Sequence, residues 1–296
     1  MTATLGLGTV QFGMAYGMAD PRPRSNEREV TDILALAARR GVSVLDTAAE
    51  YGDSEAVLGR ALESSGPFRI VTKSPPFAAE VITETDADTL EKSLTRSLLR
   101  LGTSQVYGLL VHRSADLLKS GGERLAARLE SLKANKRIQR WGVSVYDSAQ
   151  VERVMERFRP DIVQAPLNAV DRRLIDSGHL AALAAAHVEV HVRSVLMQGL
   201  LLKMPDDLPP ALHGARPMLR AFREAAAQAG LAPLDAALAF VRQQKEADVV
   251  LVGAPGAAEL EEILSAWERG AGAAEVKPLS DPSWSRWLDI RNWQHA

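Results

Sequence analysis

Short apolar runs alternate along the whole chain with longer segments of helical periodicity. The apolar runs are rich in Val, Ile and Leu, a pattern typical of parallel strands that are covered on both faces. The runs that we predict as strands are Leu5–Gly8, Val42–Asp46, Arg69–Lys73, Val106–His112, Arg140–Ser144, Ile162–Ala165, Val188–Ser194 and Val249–Gly253.

The segments between these strands repeat apolar residues every three or four positions, which predicts amphipathic helices. The predicted helices are Glu27–Arg40, Ser54–Ser64, Thr89–Leu101, Glu123–Asn135, Ser148–Phe158, Leu180–His187, Met218–Ala229, Leu234–Gln244 and Ala258–Arg269. Strict alternation of strand and helix favours parallel strands joined by right-handed crossovers. Eight such units in roughly 250–300 residues match the size of a TIM barrel. The sequence therefore predicts an α/β fold, a single (β/α)8 barrel over residues 1–296.

A doubly wound open sheet is the alternative fold for the same alternation. That fold would require a glycine-rich phosphate loop after its first strand. The segment Gly6-Leu7-Gly8-Thr9 is too short for the G-x-G-x-x-G pattern, and no such motif follows another predicted strand. The barrel is therefore the preferred prediction.

Two segments fall outside the alternation. Leu202–Pro217 contains four prolines and predicts a long loop after the seventh strand. It is either a solvated connector or part of the C-terminal barrel face, where barrel enzymes build their sites. The tail Asp281–Gln294 carries a stripe of three Trp and one Leu, and predicts a C-terminal helix. We expect that helix to pack on the barrel wall, and a substrate lid is the alternative.

Composition narrows the class of protein further. The formal net charge is −2 with both signs interspersed, so nucleic acid and anionic membranes are not expected partners. The absence of cysteine excludes disulfides, thiolate nucleophiles and Cys-ligated metals. Met1–Gly8 has no secretory-signal pattern, and no apolar run approaches the ~20 residues of a membrane span. We expect a cytoplasmic protein.

Four polar residues stand at or just after the ends of predicted strands. Asp46, Lys73 and His112 end the second, third and fourth strands, and Tyr51 follows Asp46 by five positions. Because the carboxyl ends of barrel strands converge on one mouth, ionisable groups there indicate catalysis. Taken singly, each has an ordinary explanation: a helix cap, a packed tyrosine, a solvated lysine or a core histidine.

Together these four side chains suit the reduction of a carbonyl group. Hydride addition leaves negative charge on oxygen, so an acid must supply a proton. A tyrosine has an unperturbed pKa of ~10, which a neighbouring ammonium lowers. A carboxylate can hold that buried ammonium, and an imidazole can orient the carbonyl. We therefore expect Lys73 to lower the pKa of Tyr51.

The segment Asp46-Thr47-Ala48-Ala49-Glu50-Tyr51-Gly52-Asp53-Ser54-Glu55 resembles the aldo-keto reductase signature D-T-A-x-x-Y-G-x-S-E. The resemblance runs almost end to end. The other segments that carry it are Leu5-Gly6-Leu7-Gly8-Thr9, Trp141-Gly142-Val143-Ser144, Gln164 and Arg193-Ser194-Val195-Leu196-Met197-Gln198-Gly199.

The resemblance implies a nicotinamide cofactor across the barrel mouth, a small carbonyl or alcohol substrate and no metal. It makes Tyr51 the proton donor, pairs Asp46 with Lys73 and has His112 bind the carbonyl. Ser144 and Gln164 would hold the carboxamide, and Arg193 would stack on the nicotinamide. The implied cofactor-binding residues are Gly8, Thr9, Asp46, Ser144, Gln164, Arg193, Ser194, Leu196, Gln198, Gly253 and Glu259.

The sequence departs from the family pattern at both ends of the implied cofactor site. Val145 replaces an asparagine that many relatives use beside the carboxamide. Pro255, Glu259 and Ile263 take the places where the family keeps basic or amide residues for the adenosine end. The resemblance implies NADP(H), but the missing basic clamp also admits NAD(H). The loop after His112 is short, which predicts an open substrate mouth.

Three functions fit the sequence. The leading hypothesis is an oxidoreductase that moves hydride between NAD(P)H and an aldehyde or ketone. The second is a regulatory or binding module, since the family includes potassium-channel β-subunits built on the same barrel. The third is a barrel that has lost its cofactor and its activity, which the altered adenosine end suggests.

Overall fold

The computed structural model describes residues 3–17, 23–62 and 68–295, apart from the side chains of residues 271, 294 and 295. Within these ranges the strands form a closed parallel barrel in chain order. The strands are β1 (Thr4–Gly8), β2 (Val44–Asp46), β3 (Arg69–Lys73), β4 (Val106–Val111), β5 (Ile138–Ser144), β6 (Ile162–Pro166), β7 (Glu189–Arg193) and β8 (Val249–Val252). Pairing of Thr4 with Val249 and of Leu7 with Val252 closes the barrel. The predicted (β/α)8 barrel is confirmed.

Helices connect successive strands and cover the outside of the barrel. They are α1 (Val10–Gly13), α2 (Glu27–Arg39), α3 (Ser54–Ala61), α4 (Glu84–Leu101), α5 (Ser114–Leu118), α6 (Glu123–Ala134), α7 (Ser148–Arg157), α8 (Arg173–Asp176), α9 (His179–Ala185), α10 (Arg216–Gln228), α11 (Pro233–Arg242), α12 (Ala257–Arg269) and α13 (Ser285–Leu288). The pattern does not predict α1, α5 or α8, because four or five residues are too few to display a helical period. The predicted end of α3 at Ser64 lies outside the described residues. None of the helices in the described ranges has the length and apolarity needed to cross a membrane.

Helix α4 begins five residues before the predicted start at Thr89. Thr83 and Asp86 form a capping box that satisfies backbone N–H groups at its first turn. That turn is polar, so the apolar period that guided the prediction begins only further along the helix. The helix ends where Gly102 adopts φ +66°, a left-handed conformation that favours glycine.

Two apolar layers hold the barrel. The outer layer packs the helices against the strands, and Ile33, Leu90 and Leu129 are each at most 1% exposed in it. The inner layer fills the barrel axis, and its members are Val44, Val71, Tyr107, Leu110, Ile162, Val249 and Leu251. Gly6 makes room for these side chains, since a Cβ there would lie 2.7 Å from Leu251 Cδ2. The filled axis leaves the open mouth, at the carboxyl ends of the strands, as the place for polar chemistry.

The C-terminal tail is not one helix. Asp289 has an extended backbone, at φ −103° and ψ 107°, and its carboxylate accepts hydrogen bonds from the backbone and guanidinium of Arg291. Such a local side-chain bond competes with helix formation. The tail consists of the 3₁₀ turn Pro282–Trp284, then α13, then the 3₁₀ turn Ile290–His295.

Tail and loop both pack on the barrel rather than extending into solvent. Trp284 and Trp293 are 8% and 1% exposed. The segment Leu202–Pro217 contains two short 3₁₀ turns before α10, and its Leu208 and Leu212 are buried. The first residue of the segment, Leu202, lines the cavity at the barrel mouth.

Candidate active site

A buried ion pair joins the carboxyl ends of β2 and β3. Lys73 Nζ donates to Asp46 Oδ2 at 2.6 Å and to the Thr47 carbonyl at 2.9 Å. The two charged side chains are 1% and 7% exposed. Burial acts to lower the pKa of Lys73, but Asp46 and Tyr51 outweigh it and the pKa lies above its usual value. Lys73 is therefore a fixed cation.

The turn before α3 places Tyr51 beside this cation. Lys73 Nζ donates to the Tyr51 hydroxyl at 3.5 Å and lies 4.9 Å from the centre of its ring. Two glycines permit the turn. Gly52 has φ +53°, and a Cβ on Gly13 in α1 would lie 1.7 Å from the Tyr51 carbonyl oxygen. Any side chain at Gly13 would therefore displace the Tyr51 turn.

The Ser and Glu that follow the tyrosine anchor α3. Ser54 Oγ donates to the Thr9 carbonyl at 2.8 Å. Glu55 is 1% exposed and accepts from Thr72 Oγ1 and from Arg100 Nη2, each at 2.5 Å. The signature thus ties the Tyr51 turn to β1, β3 and α4. A role for Glu55 was not predictable from the sequence, because its partner Arg100 lies 45 residues away.

Lys73 lowers the pKa of Tyr51, as expected, but burial of the ring has a larger and opposite effect. Burial raises it, and the opposing charges of Lys73 and Arg193 recover only part of the change, so the pKa lies above 10. The predicted effect of Lys73 is therefore present, but the larger effect of burial was not predicted, because the exposure of a ring cannot be judged from sequence spacing. Tyr51 is therefore a protonated phenol at neutral pH.

His112 follows β4 and faces the same tyrosine. The two rings are 6.0 Å apart and meet edge to face at 82°. His112 Nδ1 lies 3.3 Å from Glu50 Oε2, but the geometry makes no hydrogen bond, and Nδ1 has no such partner among the described residues. Burial, assisted by Lys73, lowers the pKa of His112 to about 4. The imidazole is therefore neutral, and His112 lines the cavity at the barrel mouth.

All sequence-predicted site residues line one cavity of about 360 Å³ at the barrel mouth. Those assigned to catalysis are Asp46, Tyr51, Lys73 and His112, and those assigned to the cofactor are Gly8, Thr9, Asp46, Ser144, Gln164, Arg193, Ser194, Leu196, Gln198, Gly253 and Glu259. No group of three or more His, Asp or Glu side chains in the described ranges could hold a metal ion.

The ends of β5 and β6 present amide and hydroxyl groups to the cavity. Ser144 and Gln164 are paired in register. Gln164 Nε2 donates to Asp46 Oδ1 at 2.7 Å, which leaves its carbonyl oxygen to accept from a carboxamide N–H group. Val145 is fully buried and its side chain packs in the core, so it offers the cavity no amide.

The other end of the cavity reaches the start of α12. Pro255, Glu259, Glu262 and Ile263 line it there. Two arginines that could reach over from α10 do not line it: Arg216 donates to the Pro205 carbonyl and Arg220 to Asp206. The described lining at this end is acidic and lacks Lys and Arg.

The lining residues that were not predicted from the sequence include Tyr16, Tyr146 and Ile290. The Tyr16 hydroxyl accepts from Gln198 Nε2 at 3.2 Å, and burial raises the pKa of Tyr16 to about 12. Tyr146 comes two residues after Ser144, so its place past a strand end was a usable signal. Tyr16 and Ile290 do not follow the end of a strand, so the sequence contains no comparable signal for them. Together they line the mouth with aromatic and apolar surface.

The chain belongs to the aldo/keto reductase family, because the family's sequence model matches residues 4–280. The family's members are oxidoreductases that use a nicotinamide cofactor. Among curated protein sequences, none matches this chain significantly.

Solved structures share the fold. An aldo-keto reductase family protein from Pseudomonas aeruginosa is 24% identical, with 91% of each chain covered and a TM-score of 0.68. A glycerol dehydrogenase from Gluconobacter oxydans is 21% identical, with 90% of this chain and 86% of that chain covered and a TM-score of 0.71. An aldo-keto reductase from Bacillus halodurans, in its holo form, is 18% identical, with 99% and 92% covered and a TM-score of 0.72.

Proposed function

We propose that this protein reduces small or medium aldehydes and ketones to alcohols with NAD(P)H, and that Tyr51 donates the proton. The observation that carries the proposal is the joint contact of one buried ammonium with Asp46 and Tyr51. A purely structural site would not be expected to bury a Lys–Asp pair beneath an open cavity, since burying charge is costly. Perturbed ionisable groups in such a cavity favour catalysis.

The described residues fit a nicotinamide nucleotide. Ser144 and the carbonyl oxygen of Gln164 suit a carboxamide, and the cavity continues from these groups to the start of α12. Ser144, Gln164 and Arg193 would hold the nicotinamide end. When bound, the reduced cofactor supplies the hydride that adds to the carbonyl carbon.

Residues of the protein orient and protonate the carbonyl oxygen of the substrate. His112, which is neutral and lines the cavity beside Tyr51, orients the carbonyl oxygen towards the Tyr51 hydroxyl. As the carbon gains hydride, the oxygen takes the phenolic proton and becomes the alcohol. The phenolate left behind lies against the Lys73 ammonium, which Asp46 holds in place. Tyr51 then regains a proton from water.

The pKa directions lead to a pH prediction. Burial lowers the pKa of His112 to about 4 and raises the pKa of Tyr51 above its ordinary value. From about pH 6 to 9, His112 is therefore neutral and Tyr51 is protonated, which are the states that carbonyl reduction requires. The kcat for reduction should be flat over that interval. Alcohol oxidation needs the phenolate, so its rate should rise about tenfold per pH unit there. A reductive rate that falls between pH 6 and 8 would contradict these assignments.

The acidic end of the cavity leads to a prediction on cofactor choice. A carboxylate near a phosphate is repulsive by about 1 kcal/mol at a partly wet site, whereas a ribose diol can donate a hydrogen bond to it. With Glu259 and Glu262 in the lining, we expect a preference for NADPH over NADH below roughly tenfold. Dissociation constants for both cofactors at one ionic strength measure it.

A charge reversal sharpens that measurement. Glu262→Arg should improve NADPH affinity relative to NADH by about tenfold, because it supplies a partner for the 2′-phosphate. Glu152→Arg makes the same charge change on α7, outside the cavity lining, and should leave the ratio unchanged. A hundredfold NADPH preference in the unmodified protein would contradict the proposal.

The direct test of cofactor use is a binding titration. The five Trp residues provide intrinsic fluorescence, so NADH and NADPH binding can be followed by quenching. We expect saturable binding of at least one reduced cofactor. No binding of either would support the alternative of a barrel that has lost its cofactor.

A further inference from the structure

Arg193 is a cation without a counter-charge in the cavity wall. Lys73 and Arg193 are the described basic residues that line the cavity. Lys73 is matched by Asp46 at 2.6 Å, but Arg193 forms no ion pair with a carboxylate in the described part of the chain. Its guanidinium donates instead to neutral groups, the Val145 carbonyl at 2.9 Å and Ser194 Oγ at 3.2 Å.

The position of this charge is fixed. The guanidinium lies 4.3 Å from the centre of the Tyr146 ring, whose face attracts cations without neutralising them. The guanidinium of Arg291 also stacks on this ring, 3.6 Å from its centre. The charge of Arg291, however, is neutralised by Asp289, whose Oδ2 lies 2.5 Å from Arg291 Nη2. Two arginines thus stack on one tyrosine, and only the one that lines the cavity is left uncompensated within the described residues.

The field of Arg193 reaches the reacting groups. It lowers the pKa values of Tyr51, Tyr16 and His112, each as a secondary cause behind burial. Three ionisable side chains around the mouth therefore sense this one positive charge. A ligand group bound among them senses it too.

From this arrangement we infer that Arg193 makes the site bind the reduced, neutral nicotinamide in preference to the oxidised, cationic one. The inference rests on the proposed function, because hydride transfer requires the nicotinamide ring to touch the carbonyl carbon beside Tyr51. The ring carries a unit positive charge only when oxidised, so an uncompensated guanidinium nearby repels that form alone. The phosphates are identical in both forms, and their contacts cancel in the ratio of the two dissociation constants.

The consequence is directional. Weaker binding of oxidised cofactor favours its release after carbonyl reduction and disfavours the start of alcohol oxidation. About a tenfold bias is expected for two unit charges in neighbouring groups of a partly wet site. For a two-electron couple, tenfold corresponds to about 30 mV in the potential of the bound cofactor.

The test compares dissociation constants of NAD⁺ and NADH, and of NADP⁺ and NADPH, by fluorescence quenching. In Arg193→Gln the ratio of oxidised to reduced dissociation constants should fall about tenfold. Arg193→Met, which retains much of the apolar stem against Tyr146, should show the same fall. Arg193→Lys keeps the charge, so its ratio should stay within about threefold of the unmodified protein.

Arg220→Gln removes a charge of equal sign from an exposed pair with Asp206, outside the cavity lining, and should leave both constants unchanged. If Arg193→Gln weakens both cofactor forms equally, Arg193 binds the phosphates and the inference is wrong. If the ratio of oxidised to reduced dissociation constants falls as much in Arg193→Lys as in Arg193→Gln, packing rather than charge sets that ratio. This result would also overturn the inference. No cofactor binding by the unmodified protein would overturn the proposed function as well.

Discussion

Replacing Tyr51 with Phe should lower the turnover number for carbonyl reduction at least ~100-fold, the usual scale for removing a positioned acid. The substitution removes one oxygen and keeps the ring that packs between Lys73 and His112. Cofactor affinity should therefore stay within about threefold. Stopped-flow measurement of a single turnover with saturating reduced cofactor separates the chemical step from cofactor binding and product release.

Tyr107→Phe is the matched control for this experiment. Tyr107 is also a buried tyrosine with a hydrogen-bonded hydroxyl, which donates to Glu189 at 2.5 Å, but it does not line the cavity. Loss of the Tyr107 hydroxyl should lower the folding stability but leave the turnover number within about threefold of the unmodified protein. If Tyr51→Phe also turns over within a few-fold of the unmodified protein, Tyr51 is not the proton donor.

Replacing Lys73 with Met should also lower turnover at least ~100-fold, with a change in pH dependence that Tyr51→Phe cannot show. Without the ammonium, nothing in the pair opposes the burial that raises the Tyr51 pKa. The phenolate becomes harder to form, so the basic limb of the pH–rate profile for alcohol oxidation should move to higher pH. Steady-state rates from pH 6 to 11 measure the shift.

The buried partner must be considered in the same experiment. Lys73→Met leaves Asp46 without its cation, and Asp46→Asn leaves Lys73 without its anion, each costing about 3–5 kcal/mol of folding stability. Lys133→Met is the control, because Lys133 forms a bidentate pair with Asp161 at 2.6 and 2.7 Å in a more exposed place. A folded Lys73→Met protein with unmodified rates and an unshifted limb would make Lys73 a purely structural residue.

The barrel was predictable because each strand is marked in the sequence by a short apolar run. Arg69–Lys73 has the predicted bounds, and the other strands differ by one or two residues at their ends. A strand buried on both faces needs an uninterrupted apolar run, and the polar residue that ends the run also marks the barrel mouth. This is why Asp46, Lys73 and His112 could be assigned to one site from spacing alone.

What spacing could not predict depends on contacts between distant parts of the chain. Ile290 reaches the cavity only because Asp289 breaks the tail into short turns. The Tyr51 pKa depends on how completely the surrounding barrel excludes water. The family resemblance implied a stacking role for Arg193, but its missing counter-charge becomes visible only when the neighbouring carboxylates are located.

Similarly, the start of α4 was misplaced because capping acts through polar residues. The predicted start, Thr89, follows the apolar period, whereas Thr83 and Asp86 set the observed one. A pattern built on apolar positions places helix cores well and helix ends poorly.

Carbonyl reduction by this protein can be measured as product formation on a panel of simple aldehydes and ketones, with NADH and NADPH supplied separately. Loss of reduced-cofactor absorbance is followed together with chromatographic analysis of the alcohol. We expect one alcohol formed for each reduced cofactor consumed, with Tyr51→Phe at least ~100-fold slower. Saturable cofactor binding without turnover on any carbonyl would contradict the proposed function, and would favour the regulatory or binding module over the reductase.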